Sequence, residues 1–121
     1  MSRQVDPALV ESLGTLLSIR HVGREESSTW EGLRGELEHF GFAVGVVRRL
    51  QEAAVILRAR GVPVVGLSGS GVFLARSVDE VDAALGEKRR RALAALGEMR
   101  TLKRLRLAML GQAAMRGLSN A

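Results

Sequence analysis

The chain has 121 residues, a formal net charge of +5, no cysteine, and only four large aromatic side chains, Trp30, Phe40, Phe42 and Phe73. That length suits one domain plus at most one appended element. The composition excludes disulfide frameworks and thiolate metal sites, gives His21 and His39 no ligand spacing, and leaves little for stacking on unpaired bases.

Asp6-Pro7 opens the first predicted helix, over 7–20, with Asp as N-cap and Pro at the first helical position. Leu9, Leu13, Leu16 and Leu17 form its apolar stripe. Residues 21–28, HVGREESS, are polar and contain a glycine, so they read as a loop, with His21 at a helix end or on the surface. Ser28 or Thr29 caps a second helix over 29–40, and Ser28 stands at capping-box spacing from Glu31. Trp30, Leu33, Leu37 and Phe40 share one face of it, and Gly41 ends it. A third helix, over 45–60, begins between Ala43 and Val46. It stops at Gly61, and Pro63 bars its continuation.

Residues 62–76 then read as a β-hairpin around the tip Ser68-Gly69-Ser70-Gly71. Ser77 and Glu80 form a second capping-box pattern that opens a long helix. Val81, Leu85, Ala92, Leu96, Met99, Leu102, Leu105 and Met109 keep a spacing of threes and fours, with one step of seven. Gly86, Gly97 and Gly111 each cost about 1 kcal/mol against alanine, so a bend or break is expected there. The closing segment GLSNA is expected to fray. The fold class is mainly α with a small β-hairpin.

A helix pair joined by a short glycine-containing turn is the helix-turn-helix unit, and a hairpin after it makes the winged variant. Leu57-Arg58-Ala59-Arg60-Gly61-Val62-Pro63-Val64-Val65, followed by Gly69-Ser70-Gly71-Val72-Phe73-Leu74-Ala75-Arg76, resembles the signature of winged helix-turn-helix DNA-binding domains. It is similar in particular to small phage-encoded members, which continue with a capped acidic turn and an Arg-rich helix, as Ser77 to Val81 and Lys88 to Arg91 do here. The resemblance spans residues 28–106. It implies a winged domain over 1–76 and a basic helical extension over 77–121. The family's usual Ser, Thr or Asp cap before the recognition helix is replaced by the apolar stretch Phe42-Ala43-Val44-Gly45-Val46-Val47. Either the turn is unusual or this stretch meets a partner, with Phe42, Val44 and Val46 as the candidate contacts.

On a helical wheel of the third helix, Leu50, Ala53, Ala54 and Leu57 share one side with Val46 and Val47, and Arg48 and Glu52 lie opposite. Arginine reads guanine, glutamine reads adenine and glutamate accepts from cytosine, so Arg48, Arg49, Gln51 and Glu52 suit the major groove. Ser68, Gly69, Ser70 and Arg76 would serve the wing, where glycine lets backbone N–H groups approach phosphate. A plain turn and solvated arginines are the alternative readings. Charge is uneven: residues 1–42 hold four arginines against seven acids, 43–76 five against one, and 77–121 nine Lys or Arg against five acids. The positive middle and tail fit a polyanion partner, with Arg89 and Arg90 meeting phosphates or lying on a solvated face.

Double-stranded DNA is therefore the expected partner. The expected role is a phage or mobile-element transcription regulator, or the DNA-recognition part of a replication or packaging complex. The alternative is a protein-binding adaptor or inhibitor, for example of a polymerase. The stripe of the last helix, with Leu85, Leu96, Met99 and Leu102, points to a homodimer seam or to packing back onto Leu9, Leu13 and Leu16. No carboxylate pair, activated nucleophile or metal cluster stands out, so neither an enzyme nor a cofactor is expected. Residues 66–71 lack the last glycine of a nucleophile elbow and the Lys-Ser/Thr of a phosphate-binding loop. No run of about 18 apolar residues occurs and residues 1–14 lack the apolar core of a signal peptide, so a cytoplasmic protein without a membrane partner is expected.

Overall fold

The computed structural model describes residues 5–119. Its elements are α1 (Pro7–Arg20), a 3-10 turn (Arg24–Glu26), α2 (Trp30–His39), α3 (Val47–Ala59), β1 (Val64–Leu67), β2 (Gly71–Leu74) and α4 (Val78–Ser119). The chain is thus mainly helical, with a two-stranded antiparallel hairpin and a long C-terminal helix. Its internal packing divides it into two compact units, Met1–Leu85 and Gly86–Ala121. No helix among the described residues is long and apolar enough to cross a membrane.

Asp6 caps α1, its carboxylate accepting from the Ala8 N–H at 2.9 Å, and Pro7 takes the position where a missing N–H costs nothing. Leu9, Val10, Leu13, Leu16 and Leu17 are buried in one cluster with Leu33 and Leu37 of α2 and Leu50, Ala53, Ala54 and Leu57 of α3. Val64 and Val72 of the hairpin complete it. The α1 stripe is thus packed within its own unit.

Both α2 and α3 end in the same hydrogen-bonded device. Gly41 N–H donates to Glu38 O and Phe42 N–H to Leu37 O, while Gly61 N–H donates to Arg58 O and Val62 N–H to Leu57 O. This is the Schellman pattern, and it turns the chain sharply after each helix. At the other end, Thr29 is the α2 cap, accepting from Gly32 N–H at 2.9 Å. The Ser28–Glu31 capping box does not form, because Ser28 is drawn into the hairpin instead.

The segment 21–28, read as a loop, holds a 3-10 turn and two isolated bridges to β2. Ser28 exchanges two backbone hydrogen bonds with Val72, at 2.9 and 2.7 Å, while Gly23 N–H donates to Leu74 O and Leu74 N–H to His21 O. The polar segment is a third partner along the edge of β2, satisfying backbone groups that would otherwise face solvent or core unpaired. His21, read as a surface or helix-end residue, caps α1 but is buried. Its Nδ1 lies 2.8 Å from Glu26 O and its Nε2 2.7 Å from a Glu36 carboxylate oxygen.

The hairpin pairs Val64 with Leu74, Val65 with Phe73, Gly66 with Val72 and Leu67 with Gly71. One face sends Val64 and Val72 into the helical core. The other buries Leu67 and Phe73 against Ala84 of α4, with Val65 alongside. The opening of α4 is tied down by Ser77, whose Oγ accepts from Glu80 N–H at 3.4 Å. The helix then runs unbroken through Gly86, Gly97 and Gly111, where a bend or break was expected. Glycine weakens a helix but keeps its N–H, and the flanking Ala, Leu, Lys and Arg residues are strong helix formers. Of the closing GLSNA segment expected to fray, 120 and 121 lie outside the described residues.

Candidate nucleic-acid interface

The site is built around α3. Its row Leu50, Ala53, Ala54 and Leu57 is buried, so helical geometry turns Arg48, Gln51, Glu52 and Val55 outward. Arg48 has an 80% exposed side chain, with its Nε 3.7 Å from Glu52 Oε1 one turn on. Gln51 is exposed, and Val55, in the middle of the face, is 60% exposed. Arg49 lies toward α1 and, together with Arg48 and Glu52, borders an open groove of about 620 Å³ lined also by Val5, Asp6, Phe42, Ala43 and Val46. Arg60 lies on that side too, ion-paired with Glu11 at 3.0 Å.

The start of α3 is as unusual as its sequence. The helix begins at Val47, with Val46 as an N-cap that offers no side-chain oxygen. The turn before it is tied to α2, where Arg34 Nη1 donates to Gly45 O at 3.2 Å. Arg34 is held in turn by Glu31 at 2.6 Å and Glu38 at 3.8 Å. The apolar turn splits by fate. Val44 is wholly buried in the core, which removes it from the candidate contact surface, whereas Val46 is 61% exposed and Phe42 is half-buried.

The hairpin tip is a tight turn, with Ser70 N–H donating to Leu67 O at 3.1 Å. It is fastened from outside. Arg24 Nε donates to Ser70 Oγ at 2.7 Å, and Ser27 Oγ donates to Ser70 O at 2.6 Å. Gly69 is open to solvent, and Ser68 sits beside it in the turn. Arg76 is ion-paired with Glu25. Around this end, Glu80 accepts from the backbone N–H groups of Arg76 and Arg24 at 2.6 and 2.7 Å. Those bonds, the Arg76 one first and the Arg24 one next, hold the Glu80 carboxyl below its ordinary value.

Arg48, Gln51 and Glu52 therefore share one helix face, and Arg49 stands at its border. Ser68, Gly69 and Ser70 form the hairpin tip of the same compact unit, whereas Arg89 and Arg90 are exposed on α4 in the other unit. Two cations escaped the sequence reading. Arg24 reaches the tip across 46 residues of sequence, and Arg58 Nε donates to Val64 O at 2.6 Å beside the hairpin. Partial burial lowers the Arg58 pKa from its ordinary value. Only the run Leu57 to Arg60 before the turn carried a local signal, for Arg58.

A second surface lies between α1 and α2. Leu16, Ile19, Leu37, Phe40 and Phe42 line an open groove of about 420 Å³. Phe40, expected on the buried face of α2, is its C-cap and 65% exposed, and Ile19 is 74% exposed. The chain leaves the helical path at Phe40, so the side chain swings off the buried row and stacks edge-on against His39, ring centroids 5.5 Å apart. Among the described residues no group of three or more His, Asp or Glu is placed to hold a metal ion. Comparisons with protein-family models, with curated proteins and with solved structures found no match to the chain.

Proposed function

We propose that the protein binds double-stranded DNA without catalysing a reaction, as a winged helix-turn-helix in which α2 and α3 are the helix pair and β1–β2 is the wing. The observation that supports this reading is the outward face of α3, which offers Arg48, Gln51, Glu52 and Val55 opposite the buried row Leu50, Ala53, Ala54 and Leu57. A helix of this kind fits the major groove, and its side chains match the hydrogen-bonding and methyl groups of base edges. The excess of arginine over acid in residues 43–76 favours approach to a polyanion. The role that suits such a module is a phage or mobile-element regulator, or the recognition part of a replication or packaging complex.

Fluorescence anisotropy on random-sequence duplexes at low salt tests this. Binding should be salt-dependent, each neutralised phosphate adding about 0.9 to the slope of log K against log salt. Arg48→Ala should weaken it at least tenfold, the scale of about 1.4 kcal/mol, and Arg60→Ala, on the α1 side, should leave it within about twofold. Absence of binding at low salt refutes the proposal.

The second reading is a protein-binding adaptor or inhibitor on the same scaffold. The apolar groove at Ile19, Phe40 and Phe42 supports it, because clustered exposed apolar side chains mark interaction surfaces. A stable protein complex that survives high salt and is lost in Phe40→Ser favours this version.

A further inference from the structure

We infer that α4 joins two copies of this chain as an antiparallel coiled coil crossing at residues 92–95. The inference is independent of DNA binding. Along α4, Leu85, Ala92, Met99 and Arg106 recur every seven residues, and Lys88, Ala95, Leu102 and Met109 recur every seven between them. Alternating steps of three and four are the heptad seam of a left-handed coiled coil. The seam is uncovered: Leu85 is 51%, Met99 51%, Leu102 63% and Met109 68% exposed.

Charge decides the occupant and its direction. In a parallel pair, Lys88 would face Lys88 and Arg106 would face Arg106 across the seam, placing like charges in the least hydrated part of the interface. An antiparallel pair puts Leu85 of one copy against Leu102 of the other, Ala92 against Ala95, and Lys88 against Met99. The register that aligns this seam also pairs the flanks. Asp82 then lies beside Lys103 of the second copy, and Arg91 beside Glu98. The two-fold axis repeats both pairs. Arg91 already bonds Glu87 within its own helix at 2.5 Å, which holds it beside the seam. The two-fold axis falls between Leu93 and Ala94, where Ala92 and Ala95 on the seam let two backbones approach closely. From residue 99 onward the chain has five cations and no acid, while 79–87 has four acids and no cation, so each end of α4 complements the opposite end of a second copy.

Sedimentation equilibrium of the full chain measures the dimer, and engineered disulfides read its direction. The chain has no native cysteine, so Leu85→Cys and Leu102→Cys chains can be mixed and oxidised without background. The expected product links position 85 of one chain to position 102 of the other. Links of 85 to 85 or 102 to 102 in preference overturn the antiparallel arrangement. Glu98→Arg should raise the dimer dissociation constant by about tenfold, since two exposed ion pairs become repulsive. Adding Arg91→Glu to it should restore the constant to within about threefold. A chain that stays monomeric at high micromolar concentration, or a double variant no tighter than Glu98→Arg alone, overturns the proposal.

Discussion

Gly71→Ala is the sharpest test of how the hairpin is held. Gly71 has φ +121°, and a Cβ there would lie 2.5 Å from Ser28 O, a backbone atom. Two costs follow. A side chain in a positive-φ conformation costs about 1–2 kcal/mol. Relieving the overlap means moving Ser28 away, which gives up its two bonds with Val72, at 2.9 and 2.7 Å, each worth about 1 kcal/mol net. The total is roughly 3–4 kcal/mol. A unit of this size has roughly 4–13 kcal/mol of stability and loses about 4–8 °C of Tm per kcal/mol, so the loss is roughly 12–30 °C. Gly69→Ala is the control: φ is +78°, but nothing lies within 4 Å of the added Cβ, so only the conformational cost applies. Thermal unfolding followed by far-UV circular dichroism, with urea midpoints alongside, measures both. Equal losses in the two variants refute the close approach of Ser28 and, with it, the role of residues 21–28 in holding β2.

Thr29→Ala should cost about 1 kcal/mol by urea unfolding because it removes the α2 cap, whereas Ser28→Ala, whose hydroxyl only donates to Thr29 O, should cost a few tenths. Glu80 should make the fold acid-sensitive. Its pKa is depressed in the folded state, so its stabilisation is fully present above the unfolded glutamate pKa and is lost as pH falls through the folded value. Glu80→Gln should lower the urea midpoint at pH 7 and flatten its fall below the unfolded glutamate pKa; an unchanged pH profile refutes the assignment. Ile19→Ser and Phe40→Ser should leave Tm within a few degrees, since both side chains are already mostly in water. A large loss in either would mean that they are covered in solution.

Local chemistry explains why some elements were legible. Asp6-Pro7 and Gly61 with Pro63 encode their own helix ends, through a cap or a missing N–H, without help from the rest of the chain. The elements misread were those decided at a distance. Phe40 has the right spacing for the α2 face, but the Schellman turn ends the helix before it. His21 looked like a polar surface residue, and only the fold brings Glu26 O and Glu36 to its two ring nitrogens. Val44 sits in the same apolar stretch as Val46, yet one is core and the other surface, because Gly45 between them redirects the chain. On α3 the period of 3.6 separates outward Arg48 and Glu52 from buried Leu50 and Ala53, so most of the candidate face could be read from the wheel. Arg24 could not, because its partner Ser70 is 46 residues away.

The hairpin itself shows the limit of pattern reading. Its strands do not alternate apolar with polar, because both faces are buried: Val64 and Val72 against the helices, Val65, Leu67 and Phe73 toward Ala84. A continuous apolar run of that kind is ambiguous between strand and helix, and the Ser-Gly-Ser-Gly tip broke the tie. Burial on both faces has a mechanical consequence. With its strands clamped from two sides and Ser70 tied to Arg24 and Ser27, the tip has little freedom relative to α3. In the proposed DNA complex such a tip would meet a phosphate without a separate ordering cost, which is the energetic advantage of a preorganised contact. Arg24→Ala would free Ser70 Oγ and remove one cation at the same time. Arg24→Gln, which keeps a donor but not the charge, separates the two effects: if affinity follows charge alone, the tip's fixed position contributes nothing to binding.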